Sequence, residues 1–596
     1  MRNLAYALST LISFSVVGGA CANGGRQGMP GSPQLMSLEV QPATSTIAVD
    51  NGVSSAVGFT VVGHFSDGKT QPITDATFAL DSAGARLGTL QAAQFSASGA
   101  AAGSGHVTAQ SHGLTGMAAV NVTVHTQHVD PAVPADGPPK FAGTPSMGPL
   151  SPTIDYPLDG AIMPSSAKAP DVQWEGAKGA ADLYRVKLTS GGAVVESIVA
   201  VTPTFNFDWQ PSASDWSLLA SSGSDLQVTV DHWDASSGLQ GGNVVKLAVP
   251  QADVRGVIYY WDLSEGKMQR IDDTGRALAI PKPPSSPSDA NNRCVACHVV
   301  SRDGRYLAGE LWGGSLSGAV FDLSNPTLST ADPAPTVTPV NSYVSLFSTF
   351  NPDATRLMIN AGTSLQVVDP KNGMSIMTAG TPLPTSKAAH PTWSPDGSLV
   401  AFINNIDGTA WAVDYTSGDL SVIAVTGPDT FAAPQPLVMS STGDPAFKAP
   451  SWPTFTPDSK FIAYGAGVNS RGRNSVMMNG TTTEVTYPGA LFVVGRAGGT
   501  PARLDAACSA QRNCYLPNFS PYDSGGYFWL VFYSLRDYGN AQVGTKGSNR
   551  RQMWVTAIDK SKLGSGDASS VPYWLPDQDP KTENMSAFWA VPPPLQ

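Results

Sequence analysis

The sequence predicts an all-β, multidomain protein in which β-sandwich modules precede a six-bladed β-propeller, with seven blades as the alternative. The 596 residues are enough for several domains and several cores. Glycine and proline number 60 and 48 and only 14% of residues are charged, a composition typical of short strands joined by many turns. A turn motif followed by an apolar strand also recurs through the C-terminal half, as in propeller blades.

The charge balance excludes one class of partner. The formal net charge is −11 and the pI is about 5.2. Such a chain has no positive field that would concentrate a polyanion, so no nucleic-acid partner is expected. Hydrophobic residues make up 41% of the sequence, which is enough to fill real cores.

Residues 1–22 predict an export signal peptide, with a basic start, an apolar run over 4–17 and small residues at its end. Cleavage by ordinary signal peptidase at Ala-x-Ala remains open. The segment before Cys21 also resembles a bacterial lipoprotein signal, which implies an acylated Cys21 and a flexible tether over 23–36. No later apolar run reaches membrane-spanning length, so membrane contact is expected only through the lipid anchor. The protein is therefore predicted at the outer membrane, in the periplasm or on the cell surface.

Residues 37–126 predict the first β-sandwich, because short β-rich runs alternate there with turns. Leu-x-Val-x-Pro from Leu38, a turn at 65–68, Gly-x-Val-Thr-Ala from Gly105 and Val-x-Val-x-Val from Val120 follow in order. This order resembles the bacterial Ig-like group 2 domain. The resemblance implies a stalk or an adhesive module.

Residues 127–152 are rich in proline and predict a semi-rigid linker that separates two modules. Residues 153–250 follow as a second β-rich stretch. Trp174 and Tyr184 on alternating strands are similar to those of a fibronectin type III or related Ig-like sandwich. Trp174 is predicted to fill the core between the two sheets.

Residues 251–596 predict the propeller from a repeated turn and strand. The turns lie at 301–304, 351–354, 394–397, 456–459 and 520–523, and a second strand recurs at 365–369, 411–414 and 491–494. In Ser-Pro-Asp-Gly, proline presets φ, aspartate bonds its own backbone and glycine accepts positive φ, so these aspartates are predicted to be structural. The units resemble TolB-type, WD-like β-propellers. In such a ring the strand from Gly256 is expected to share a blade with the C-terminal segment near Phe588 and Trp589.

Cys294-Val295-Ala296-Cys297-His298 is a C-x-x-C-H sequence, the attachment motif of c-type haem. It supplies two thiols for thioether bonds and an adjacent imidazole for iron. Covalent haem c on Cys294 and Cys297, with His298 as proximal ligand, is the leading prediction. His390 is a candidate distal ligand, and several methionines are others. The implied function is electron transfer or redox sensing with an envelope redox protein.

Alternatives remain open. Cys294 and Cys297 form a disulfide in the main one, and the propeller is then a non-enzymatic scaffold for a surface protein or a glycan. A zinc site lacks a fourth ligand, and an oxidoreductase that uses the haem as electron acceptor lacks an identified pocket. Cys508 and Cys514 separately predict a structural disulfide. No G-x-S-x-G or P-loop motif supports hydrolase or nucleotide chemistry, and a propeller by itself does not assign a function.

Overall fold

The computed structural model describes residues 32–594 except 224, 409–414, 442–443, 472, 479–480, 487 and 510–511, and gives only the backbone of the strands within 473–486. The predicted signal peptide, Cys21 and the predicted strand 411–414 lie outside the described residues. Within these ranges the chain is almost entirely β, with two short α-helices, which confirms the all-β multidomain fold class. The same ranges contain no helix with the length and apolar character that crossing a bilayer requires.

The first module contains ten strands and one short helix. They are β1 (Leu35–Gln41), β2 (Thr44–Asp50), β3 (Val57–Gly58), β4 (Thr60–Phe65), β5 (Thr70–Ile73), β6 (Thr77–Leu80), α1 (Ser82–Leu87), β7 (Gly88–Gln91), β8 (Gln94–Ala97), β9 (Gly103–Ser111) and β10 (Leu114–Val129). β1, β4 and β5 form one antiparallel sheet, while β10 pairs with β9 and, in parallel, with β2. Alternate residues of β10, among them Val120, Val122 and Val124, face the core as a period of two requires.

The second module contains eight strands and one helix. They are β11 (Thr153–Tyr156), β12 (Ala161–Ile162), β13 (Val172–Glu175), β14 (Leu183–Ser190), β15 (Ala193–Ala200), β16 (Asp208–Trp209), α2 (Ala213–Ser221), β17 (Leu226–Asp234) and β18 (Gly238–Ala248). α2 begins at a capping box, in which the Asp215 N–H donates to Ser212 Oγ. Trp174 on β13 is fully buried against Tyr184, which confirms it as a core residue.

The predicted linker packs on the second module instead of separating it from the first. Residues 124–129 of β10 pair in parallel with 193–198 of β15, so one sheet runs through both modules. A 3-10 turn over Pro138–Phe141 follows, and Phe141 is buried against Leu183 and Ile198. Arg185 Nη1 donates to the Phe141 carbonyl at 3.0 Å. Proline density indicated extended backbone, but the apolar Phe141 anchors that backbone to a neighbouring sheet.

The propeller strands begin at Val257. They are β19 (Val257–Asp262), β20 (Lys267–Asp272), β21 (Gly275–Leu278), β22 (Val295–Val300), β23 (Tyr306–Leu311), β24 (Ser317–Asp322), β25 (Phe347–Phe350), β26 (Leu357–Ala361), β27 (Ser364–Val368), β28 (Ala379–Gly380), β29 (Ala389–Trp393), β30 (Leu399–Asn404), β31 (Asp419–Gly427), β32 (Thr430–Phe431), β33 (Gln435–Val438), β34 (Ala449–Phe455), β35 (Phe461–Gly467), β36 (Arg473–Met478), β37 (Thr481–Thr486), β38 (Gly489–Gly495), β39 (Ala502–Arg503), β40 (Tyr515–Ser524), β41 (Tyr527–Ser534), β42 (Gln552–Asp559), β43 (Tyr573–Trp574) and β44 (Asn584–Ala590).

Six sheets of the described residues form the blades of a closed ring. Blade 1 contains β44, β19, β20 and β21, blade 2 contains β22 to β24, and blade 3 contains β25 to β27. Blade 4 contains β29, β30, β31 and β33, blade 5 contains β34, β35, β38 and β39, and blade 6 contains β40 to β43. The first strand named for each blade is its inner strand, and each inner strand contacts the inner strands of both neighbouring blades. The six-blade prediction is therefore confirmed.

The two ends of the propeller segment share blade 1, as predicted. β44 pairs with β19 through Ala590 opposite Val257, Trp589 opposite Ile258 and Phe588 opposite Tyr259. The C-terminal strand thus supplies the inner strand of the blade that the N-terminal strands begin. This pairing closes the ring between blade 6 and blade 2.

The turn aspartates hold the blade turns. The Tyr306 N–H donates to Ser301 Oγ at 2.8 Å, and Ser301 Oγ donates to Asp303 Oδ1 at 2.5 Å. The same pair of bonds recurs for Ser394, Asp396 and Leu399 and for Thr456, Asp458 and Phe461. Because the bonds are made within the turn itself, they confirm the structural role predicted for these aspartates.

One predicted disulfide is confirmed. Cys508 and Cys514 are bonded, and both half-cystines are fully buried in the apolar cluster beside blade 6. Arg536 Nη2 donates to the neighbouring Ala507 carbonyl at 2.8 Å. The bond therefore closes a loop that is packed against the propeller body.

Candidate functional site in the propeller cavity

A cavity of about 550 Å³ lies at the centre of the ring. Inner strands of all six blades line it, and His298, His390 and Cys297 are among the lining residues. The predicted haem residues Cys297 and His298 and the candidate distal ligand His390 therefore reach one cavity. A volume of this size is typical of sites for small ligands.

The inner strands share a bulge at the cavity. One residue in each of five strands has a positive φ, and these residues are Cys297, His390, Trp452, Leu516 and Ser586. The pairing register shifts at the same places. A bulge turns adjacent side chains away from the regular alternation of a strand. The segment Cys297-His298 is thus the blade 2 version of a repeated feature of this propeller.

A sequence signal for the bulges existed. Four of the bulge residues stand four positions before the Ser or Thr of a blade turn, as Cys297 precedes Ser301 and His390 precedes Ser394. Three of them, at blades 4 to 6, are followed directly by proline. Aligning the turns would have placed Cys297 and His390 at equivalent positions.

The two cysteines of the motif are thiols that face a buried carboxylate. Cys294 and Cys297 are both free, unlike the disulfide of the scaffold alternative. The Glu310 carboxylate is close enough to Cys297 to add to the rise in the pKa of this thiol that burial causes. The same carboxylate accepts the Gly314 and Leu316 N–H groups at 2.7 and 3.0 Å. Burial raises the pKa of Cys294 to about 11 and that of Cys297 further, so both sulfurs stay protonated at neutral pH.

His298 is held by the neighbouring blade. Its Nε2 lies 3.1 Å from the Tyr259 carbonyl, and a carbonyl only accepts, so Nε2 carries the proton. Nδ1 then carries a lone pair, and it is buried with no hydrogen-bond partner among the described residues. Burial lowers the pKa of His298 to about 4, which keeps the ring neutral.

His390 is the buried counterpart in blade 4, with 3% of its surface exposed. Its Nδ1 lies 3.1 Å from the Tyr415 hydroxyl, which itself donates to the Pro450 carbonyl at 2.7 Å. Nδ1 also accepts the Trp452 N–H at 3.3 Å, so Nδ1 carries the lone pair of the neutral ring and Nε2 carries the proton. Nε2 is buried and has no hydrogen-bond partner in the described part of the chain. Burial lowers the pKa of His390 to about 3.

Aromatic rings form one wall of the cavity. Trp452 stacks on His390 with centroids 3.8 Å apart, and the edge of Phe347 meets both rings. The indole of Trp452 is only partly buried, so part of this wall is accessible from the cavity. Trp452 was not singled out from the sequence, because an isolated Ser-Trp-Pro segment shows no chemistry of its own.

The motif fits covalent haem poorly. Attachment needs both thiols and the imidazole directed to one porphyrin, with an imidazole nitrogen on the iron. Here the Cys297 side chain packs against the apolar cluster of blades 3 to 5, whereas His298 bonds to Tyr259 of blade 1. For the zinc alternative, no three His, Cys, Asp or Glu side chains are grouped to hold a metal ion in the residues that the structure describes. Haem c on this motif stays a prediction.

The chain matches no protein-family model and no curated protein. It is remotely similar to a putative TolB from Agrobacterium tumefaciens, at 14% identity and a TM-score of 0.29 over 57% of this chain and 98% of that one. A putative 6-phosphogluconolactonase from Bacteroides uniformis is 14% identical, with a TM-score of 0.25 over 54% of this chain and 95% of that one. An auxiliary nutrient binding protein from Bacteroides ovatus is 12% identical, with a TM-score of 0.25 over 61% of this chain and 87% of that one. These likenesses assign no function, and the propeller fold rests on the six sheets described above.

Proposed function

We propose that the chain is an exported, non-enzymatic propeller scaffold that binds a glycan in its central cavity. One observation carries the proposal: two neutral imidazoles line the cavity, and no described residue bonds to the lone pair of His298 Nδ1 or to the N–H of His390 Nε2. Leaving a buried donor or acceptor unpaired costs about 1–3 kcal/mol, so a bound ligand that donates to His298 Nδ1 and accepts from His390 Nε2 recovers this free energy. Sugar hydroxyls both donate and accept hydrogen bonds.

The shape of the site favours a glycan over a protein surface. A stable protein interface buries about 800 Å² on each partner, which requires a broad face and not a cavity at the ring centre. Trp452 offers an apolar ring face, while Thr349, Thr392 and Asn518 add polar groups to the lining. Apolar walls with a few converging polar groups are typical of small-ligand sites. The partner is therefore proposed to be a saccharide on a surface or in the envelope.

Binding should depend on the Nε2 N–H of His390. In His390→Asn the new amide can keep the contact that Nδ1 makes with Tyr415, but the substitution removes Nε2. We expect oligosaccharide affinity to fall about tenfold, which corresponds to about 1.4 kcal/mol for one hydrogen bond. The measurement is titration calorimetry with the oligosaccharides selected on an array of neutral and acidic glycans.

The matched control is His112→Asn, on an exposed turn of the first module, which should bind like the wild type. A His390→Asn protein that binds with unchanged affinity would contradict the proposal, as would an array on which no glycan is retained. If the cavity bound the end of a surface protein's chain and no glycan, the ligand would be a peptide instead.

Haem c electron transfer is the second candidate, and the C-x-x-C-H motif at the cavity favours it. The poor fit of the residues leads us to expect no adduct. The chain is exported by a host that has haem c maturation machinery, and its intact mass is measured. We expect the mass of the polypeptide alone, with Cys294 and Cys297 both open to alkylation. A mass increase of one haem would establish the electron carrier and displace the glycan proposal.

We also propose that Cys21 is acylated and anchors the mature chain. Lipidation needs a thiol at the first mature residue, so Cys21→Ser should move the protein from the membrane fraction to the aqueous fraction. Cell fractionation followed by immunoblotting measures this change. Cys294→Ser leaves the leader intact and should stay with the membrane. Wild-type protein in the aqueous fraction would favour ordinary signal peptidase.

A further inference from the structure

We infer that Arg536 binds a small inorganic anion, such as chloride, beneath the loop that the Cys508–Cys514 disulfide closes. The inference is independent of the proposed function, because Arg536 is outside the lining of the central cavity. It comes from a buried positive charge that no carboxylate of the described residues balances.

Arg536 is a buried cation. It follows the end of β41 by two residues, and 9% of its surface is exposed. Burial, and then the charge of Arg512, lower the pKa of Arg536 to about 9, so the guanidinium is still charged at neutral pH. A buried charge is rarely tolerated without an opposite charge, because neutral hydrogen bonds do not repay its lost hydration.

The described contacts of the Arg536 guanidinium are with neutral groups. Nη2 donates to the Ala507 carbonyl at 2.8 Å, and Cζ lies 5.2 Å from the centroid of the Trp554 ring. Nη1 is buried and has no hydrogen-bond partner in the described part of the chain. Among the same residues, no Asp or Glu forms an ion pair with Arg536. The positive charge is therefore left without a counter-charge.

Two other arginines with little exposure do have carboxylate partners. Arg551 Nη1 lies 2.9 Å from Glu583, and Arg185 Nη2 lies 2.6 Å from Asp231. The fold thus supplies a carboxylate where it buries these guanidinium groups. Arg536 differs from both, which indicates that its counter-charge comes from solution.

The surroundings favour an anion over a water molecule. Trp554 Nε1, on a fully buried side chain beside the guanidinium, is a second donor without a partner among the described residues. Arg512 adds a second positive charge nearby. A water molecule accepts hydrogen bonds but balances no charge, whereas an anion does both. Both donor atoms are enclosed by protein, so a compact ion such as a halide fits better than the acidic group of a larger ligand.

The disulfide loop lies against the same segment. Ser534 Oγ and the Leu535 N–H donate to the Arg512 carbonyl at 2.9 and 3.2 Å. Both half-cystines belong to the apolar cluster that contains Trp554. An anion on Arg536 would therefore stabilise the contact between this loop and blade 6, which is a structural role.

Crystals of the mature chain grown in a bromide salt test the site directly. We expect an anomalous difference peak within hydrogen-bond distance of Arg536 Nη1. A water molecule at this position would overturn the inference. So would a protein oxygen bonded to Nη1, for which Asn513 Oδ1 is the candidate because it is buried and unpaired among the described residues.

Thermal unfolding of the mature chain tests the same site in solution, in chloride, bromide and gluconate salts of equal ionic strength. Gluconate is too large for an enclosed site. We expect the midpoint of propeller unfolding to be about 2–4 °C higher in either halide, because a ligand that binds only the folded state stabilises it. Equal midpoints in halide and gluconate would overturn the inference.

Arg536→Met should remove the dependence on halide, because methionine occupies the buried position without a charge. Arg503→Gln is the matched control. Arg503 pairs with Asp505 just before the disulfide loop, so this variant should keep the halide dependence of the wild type. A halide dependence that survives Arg536→Met would overturn the inference. If Arg536→Met does not fold, the bromide position in wild-type crystals decides.

Discussion

Truncation after Glu583 is expected to abolish cooperative folding of the propeller. It removes β44, the inner strand of blade 1, which pairs with β19 and also contacts the inner strands of blades 2 and 6. Trp589 alone is 5% exposed, and burial of a large apolar side chain contributes about 1.5–3 kcal/mol. The whole strand therefore stabilises the ring by an amount comparable to the roughly 5–15 kcal/mol of an entire domain. Near-UV circular dichroism during thermal unfolding measures the loss.

The matched truncation ends at Val591 and keeps every residue of β44. It should unfold within a few degrees of the full chain, because it removes only the tail that follows the closing strand. If the chain that ends at Glu583 unfolded with the same midpoint and the same cooperativity, β44 would not close the ring. If both truncated chains lost cooperative unfolding, the effect would come from the proline-rich tail and not from β44.

The blade turns and the ring closure could be predicted because their signals are local. Ser394, Asp396 and Gly397 form their hydrogen bonds within a few residues, so the motif itself specifies the turn. Closure followed from an unpaired strand at each end of the repeats. These features depend on short-range chemistry or on strand pairing that a ring requires.

The site depended on contacts that are distant in sequence. A bulge exists only relative to a partner strand, so the positive φ of Cys297 and His390 could not be read from either segment alone. The C-x-x-C-H spacing indicated haem, but the partners of His298 and Cys297 are the Tyr259 carbonyl and Glu310. The spacing of a motif does not determine which partners the fold brings to it.

Lowering the pH from 7 to 4 is expected to destabilise the propeller through its two cavity imidazoles. Burial lowers the pKa of His298 to about 4 and that of His390 to about 3, whereas an imidazole in the unfolded chain titrates near 6.5. Between these values the unfolded state binds protons that the folded state does not. The free energy of unfolding therefore falls as the pH falls. For the buried His390 the loss is about 1.4 kcal/mol per pH unit, or about 3 kcal/mol between pH 6.5 and 4.

A carboxylate elsewhere acts in the opposite direction. Burial, and then the charge of Asp208, raise the pKa of Asp171 to about 7. The folded state therefore holds this proton between about pH 4 and 7 where the unfolded state releases it, which adds stability as the pH falls through 7. The pH dependence of the wild-type free energy of unfolding contains both effects. A variant that changes the imidazole and keeps Asp171 separates them.

His390→Asn isolates the imidazole contribution. Denaturant unfolding at pH 7, 6, 5 and 4 should show that the wild type loses about 3 kcal/mol more than His390→Asn over this range, while His112→Asn follows the wild type. Parallel curves for wild type and His390→Asn would mean that His390 is charged or solvated in the folded protein. A charged His390 could not accept the Trp452 N–H at Nδ1, so that result would also contradict the neutral imidazole on which the proposed site depends. Agreement would leave a neutral imidazole in the cavity wall whose Nε2 can donate to a sugar hydroxyl.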